Sequence, residues 1–135
     1  MLEFHSLSTP NLLTHIVFSA SDFDGRRNIV DPKEFLQVSA IKLSDAEEFQ
    51  AHVHTWKQCD IRRTVAQEAW VVISGVVETF LYDESENMVG SISLNPGDCC
   101  ITLNGGHKYK ALSNTLVYEF KSGPYLGDTL DKHYI

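Results

Sequence analysis

Long apolar runs are missing from this chain. None approaches the ~18–20 residues that cross a bilayer as a helix, so no membrane association is expected. Cysteine is scarce: Cys59, Cys99 and Cys100 make an odd count of 3. No C-x-x-C is present, which argues against a structural zinc ribbon. Cys99 and Cys100 are adjacent and on a strand would point to opposite faces, so they do not pair with each other. Reduced thiols, buried like small apolar side chains, are the simplest reading. Positive charge is also short. Lys plus Arg number 11 against 18 Asp plus Glu, a net charge of −7. A nucleic-acid binder shows the opposite balance or a marked basic stripe, so no nucleic-acid partner is expected. The basic clusters present, Arg26-Arg27, Arg62-Arg63 and Lys108 with Lys110, suit one small anionic molecule. Residues 1–5 (MLEFH) lack a basic region followed by an apolar core. No secretory signal is read there, and the cytoplasm is the expected compartment.

What is present points to β-structure. The 135 residues suffice for one domain with a proper core. Residues 35–43, 68–73, 76–82, 88–94, 99–103, 107–112 and 115–121 read as short strands. Turn chemistry separates them: Ser74-Gly75, the polar loop 83–87, Asn95-Pro96-Gly97-Asp98, Asn104-Gly105-Gly106 and Ser113-Asn114. No sustained helical period runs through 35–121. This pattern predicts an all-β sandwich or barrel. Residues 1–34 read as an N-terminal strand-and-loop arm of the same domain, with a strand over 12–18 (LLTHIVF). Residues 35–135 form the barrel and a short C-terminal tail. The arm and an open sheet edge both offer pairing surfaces, so a homodimer is expected.

The chemistry gathers around His52 and His54. Two residues apart on a strand, both imidazoles project to the same face, as two ligands of one metal must. Two surface histidines are the plainer alternative. Glu68 alternates with Trp70 and Val72, which predicts an inward carboxylate in need of a metal or cation partner. Tyr109 shares a face with His107 and lines either the cavity or the core. Arg62 or Arg63 could clamp a carboxylate or phosphate, or simply be exposed loop charges. His5, His15 and His133 read as structural or exposed.

These residues resemble the motifs of the cupin superfamily. Its first motif reads G-x5-H-x-H-x3–4-E-x6-G. Here Ala46 holds the glycine position, His52 and His54 follow, and Glu68 precedes Gly75 at the motif's spacing. The departure is the stretch of thirteen residues between His54 and Glu68. The second motif reads G-x5-P-x-G-x2-H-x3-N. Gly97 and Gly105 match, Leu103 replaces the proline, His107 comes one residue early and the asparagine is absent. The resemblance covers roughly residues 35–121. It implies a cupin-type jelly-roll β-barrel with a metal held by His52, His54, Glu68 and His107. A one-residue shift turns a strand side chain to the other face, but Gly105-Gly106 could absorb it. His107 therefore either faces the pocket or caps a loop.

Three imidazoles and a carboxylate suit Fe, Mn, Ni or Zn and do not choose among them. The expected function is a single-domain metal-binding cupin that acts on, or binds, a small metabolite, anionic or sugar-like. As an enzyme it would be a metal-dependent dioxygenase or isomerase. Two alternatives stand beside it. One is a metal-free sugar-nucleotide isomerase or epimerase using His52, His54 and Glu68 as acid and base. The other is a non-catalytic ligand-binding module.

Overall fold

The computed structural model describes residues 1–22, 25–31, 33–41, 65–122 and 133–135. Ten strands are formed among them, and all pair antiparallel. They are β1 (Leu2–His5), β2 (Leu13–Phe18), β3 (Arg26–Asn28), β4 (Ser39–Ile41), β5 (Glu68–Ser74), β6 (Val77–Tyr82), β7 (Met88–Leu94), β8 (Cys99–Thr102), β9 (Gly106–Ala111) and β10 (Leu116–Lys121). The main sheet has the order β1-β2-β8-β5-β10. A three-stranded sheet has the order β7-β6-β9, and β3 pairs with β4. The predicted all-β class is what the structure shows.

Both faces of the main sheet are covered at its central strands β2 and β8. On one face Val17, Val72 and Cys100 pack against Val77, Leu81 and Leu94 of the three-stranded sheet. On the other, Ile16, Phe18, Ala69, Cys99 and Ile101 pack with Ile29 and Val30, flanked by Leu36, Val38 and Ala40. Cys99 and Cys100 therefore lie in different apolar clusters, as adjacent strand residues must. This double covering explains why β2 and β8 read as nearly continuous apolar runs, with β8 buried at every position. β2 lies inside the sheet, hydrogen-bonded to β1 on one side and β8 on the other.

The strand expected over 35–43 is shorter, with pairing confined to Ser39–Ile41 among the described residues. The preceding backbone finds other partners. Leu36 N donates to Gln67 Oε1 at 2.7 Å, and the Gln37 side-chain Nε2 donates to the backbone carbonyls of Asp31 and Glu34 at 3.1 and 2.6 Å. Side chains thus replace a ladder there.

The N-terminal loop is fastened to the β6–β7 hairpin by Asp83, only 1 % exposed. Its Oδ1 accepts from the backbone N–H of Ser85 and Asn87 at 3.0 and 2.9 Å, and its Oδ2 from Leu7 and Ser8 at 3.0 and 3.3 Å. Burial raises the carboxyl's pKa, but the donors from Asn87, Ser85 and Ser8 outweigh it and bring it down to about 2.

Candidate functional site

Three neighbouring strands of the main sheet carry a row of polar side chains. In register, Glu68 of β5 stands opposite Thr102 of β8, and Thr102 opposite His15 of β2. Lys121 of β10 stands opposite Glu68 on the other side. Glu68, Thr102 and His15 share the parity of inner-cluster residues on their own strands, Val72, Cys100 and Val17 respectively. The row therefore faces the space between the two sheets.

From the opposite sheet, β9 sends in His107 and Tyr109. The turn before it makes this possible. Gly105 sits at φ +90°, and a Cβ there would collide with the carbonyl oxygen of Tyr82. Only glycine allows β9 to start so close to the end of β6 and turn His107 inward. The expectation that the glycine pair bears on His107 thus meets a concrete geometry.

His107 bridges the row. Its Nε2 lies 3.1 Å from Glu68 Oε1 and its Nδ1 lies 3.0 Å from Thr102 Oγ1. The chain continues inward: Thr102 Oγ1 to His15 Nδ1 at 3.3 Å, and His15 Nε2 to the Tyr82 carbonyl at 2.9 Å. The outer end reaches solvent, with His107 and Glu68 side chains 25 % and 16 % exposed. The inner end is buried, with His15 at 0 % and Thr102 at 2 %. Behind the pair, Trp70 stacks on Tyr109 with ring centroids 3.9 Å apart and planes 12° from parallel, and His107 tilts against Tyr109 at 4.9 Å. Trp70 Nε1 and Tyr109 Oη are buried without a hydrogen-bond partner.

Burial pulls the Glu68 carboxyl's pKa up, but the hydrogen bond and charge of His107, with help from the charge of Lys121, bring it below its ordinary value. His15 is held down to about 4, chiefly by burial; the Tyr82 hydrogen bond opposes this and the charge of His107 adds to it. Burial drives the Tyr109 hydroxyl strongly upward, and the thiols of Cys99 and Cys100 up to about 12 and 11. Neither thiol is a nucleophile at neutral pH.

Of the residues singled out in the sequence, Glu68, His107 and Tyr109 come together. His52, His54, Arg62 and Arg63 lie outside the described residues. Among the described residues no three His, Cys, Asp or Glu side chains gather as a metal site; of the four expected ligands, the two described, Glu68 and His107, lie side by side. Thr102 is not singled out in the sequence, and His15 reads there only as structural or exposed. The available signal for His15 was a histidine in the middle of a six-residue apolar strand, but nothing in the sequence names its partner. A cleft of about 390 Å³ lies on the other face of the main sheet, lined by Phe18, Leu36, Val38, Val71 and Phe120 among others. It is apolar and separate from the polar chain.

No protein-family model matches this chain, and neither a curated protein nor a solved structure matches it.

Proposed function

We propose that the chain is a cupin-type jelly roll that holds a divalent first-row transition metal, Fe, Mn, Ni or Zn, and binds or transforms a small metabolite there. The ligands on this reading are Glu68 and His107, completed by His52 and His54. The observation that carries it is the 3.1 Å separation of Glu68 Oε1 and His107 Nε2 at the solvent-reaching end of a buried polar chain. Neighbouring donor atoms around a metal with bonds of about 2.0–2.2 Å stand roughly 3.0–3.4 Å apart, from octahedral to tetrahedral geometry. The pair thus has the spacing of two adjacent ligands without rearrangement. Such a metal would supply Lewis acidity and a place for substrate or water. Trp70 and Tyr109 stack on each other beside the pair, with Tyr109 against His107.

The same pair supports a second reading. A carboxylate and an imidazole at hydrogen-bond distance share a proton and can pass it to and from a substrate. Glu68 and His107 would then act as acid and base without a metal, as in a sugar-nucleotide isomerase or epimerase.

Elemental analysis of the untagged full chain by plasma mass spectrometry separates the two. The first reading expects near one metal per chain, lost in a Glu68→Ala/His107→Ala double variant and in a His52→Ala/His54→Ala double variant, with cooperative thermal unfolding kept in both. Wild-type protein that stays empty after reconstitution with each of the four metals overturns it. Metal retained by the Glu68/His107 variant would move the site elsewhere.

A further inference from the structure

The hydrogen-bond chain behind His107 ends on an atom that can only accept, and that end orients the chain. The Tyr82 carbonyl can only accept, so His15 Nε2, 2.9 Å away, carries a hydrogen. His15 is 0 % exposed, and among the described residues no carboxylate contacts it. Its ring is neutral, and its Nδ1 is left as an acceptor. The Thr102 hydroxyl, 3.3 Å from that nitrogen, is the donor placed to satisfy this buried acceptor, and we assign its hydrogen there. Thr102 has one hydrogen and has now used it. Toward His107 Nδ1, 3.0 Å away, its oxygen can only accept. His107 Nδ1 therefore carries a hydrogen, and its Nε2 presents a lone pair toward Glu68 Oε1 at 3.1 Å. Two electron-rich atoms at that distance need a cation between them: a proton in the free protein, or a metal ion.

We infer that His15 and Thr102 are positioning residues, which transmit the polarity of the Tyr82 carbonyl to His107 and so keep its Nε2 turned to Glu68 as a cation-binding atom. Neither residue touches the cation. They decide which imidazole nitrogen is offered to it, much as the outer hydrogen bond of a metal-bound histidine sets its tautomer. The functional weight of this rests on the reading of Glu68 and His107 as the site; the proton placement does not.

The chain also accounts for the residue types. A serine or threonine is the smallest side chain that can accept from one ring while donating to another. Threonine adds the β-branch suited to the strand that carries it. The turn glycine Gly105 lets β9 approach the same Tyr82 carbonyl that anchors the chain. One backbone oxygen thus sets both where His107 enters and which way its ring is protonated.

Nitrogen-15 NMR of the imidazoles in the metal-free full chain at one neutral pH reads the proton positions directly. The expected pattern is a protonated Nε2 and bare Nδ1 on His15, and a protonated Nδ1 on His107. Thr102→Val removes the relay hydroxyl. It should strip the proton from His107 Nδ1 and leave Nε2–H donating to Glu68; Thr102→Ser should keep the wild-type pattern. A bare Nδ1 on His107 in the wild type overturns the inference, and this result does not depend on any variant folding. An unchanged pattern in folded Thr102→Val overturns it as well. Zinc titration supplies the second readout: Thr102→Val should bind about 10-fold more weakly or worse, and Thr102→Ser as the wild type. Equal affinity in Thr102→Val would overturn the positioning role. A wild type that takes up no metal would sink the metal reading above, and the inference would then be decided by the proton pattern.

Discussion

Gly105 and the Tyr82 carbonyl are packed so closely that no β-carbon fits between them, and Gly105 holds φ +90°. The β8–β9 turn therefore cannot accept any other residue without moving β9 or β6. Gly105→Ala combines left-handed backbone strain with that collision, and should destabilise the fold by about 2 kcal/mol or more. It should also displace His107 from Glu68. Gly25 provides the control: it has φ +66° but open space around its α-carbon. Gly25→Ala should cost only about 1 kcal/mol. Denaturant unfolding of both variants checks this, and equal costs would show that the Tyr82 contact is not tight.

The Trp70–Tyr109 stack invites a different comparison. Tyr109 Oη is buried with no well-formed hydrogen bond, Cys100 and Thr102 being its polar neighbours, so its lost hydration is poorly replaced. Tyr109→Phe keeps the ring against Trp70 and His107 and removes the stranded hydroxyl. It should leave stability unchanged or raise it by up to about 1 kcal/mol. Trp70→Ala, which empties the other half of the stack, should cost about 3–5 kcal/mol. A clear loss in Tyr109→Phe would mean that the hydroxyl is bonded, with Cys100 or Thr102 as the neighbours to suspect.

Much of this arrangement was legible in the sequence, and the parts that were not share a cause. The strands from β5 to β10 stand within a residue or two of where alternation and turn chemistry put them, because each is bounded by Gly, Pro, Asn or Asp. Glu68 was readable as an inward residue from its parity with Trp70 and Val72. Cys99 and Cys100 were readable as buried, and both are. β1 and β3 were not readable. β1 is an edge strand of four residues, exposed at all but one position, so it shows no alternation. The polar row was invisible for another reason. Glu68, Thr102 and His15 meet only through the pairing of β5, β8 and β2, and register between strands so distant in sequence is a property of the packed sheet. His15 in particular reads as a structural histidine, which it is; its place one hydroxyl away from His107 is written in no local pattern.

His15 also makes stability depend on pH in a way that can be isolated. Its pKa is held down to about 4 in the folded chain, from an ordinary 6.5. Between these values the unfolded chain takes up a proton that the folded chain refuses. The unfolded state then binds more protons, so stability rises with pH through this window and is lost as pH falls from about 6.5 to about 4. The full span corresponds to about 3 kcal/mol at most. The carboxyls held low in the folded protein, Glu68 and Asp83 among them, contribute the same sign, but at the acid end of the range and below. His15→Gln offers the Tyr82 carbonyl an amide donor and removes the titration. It should be less stable than wild type at pH 8, where only the relay is lost, and the gap should narrow steadily toward pH 5. Urea unfolding of both proteins at half-unit pH steps gives the difference directly. A gap that stays constant across the window would show that His15 charges as freely in the folded chain as in the unfolded one, and that the Tyr82 carbonyl does not anchor a neutral ring.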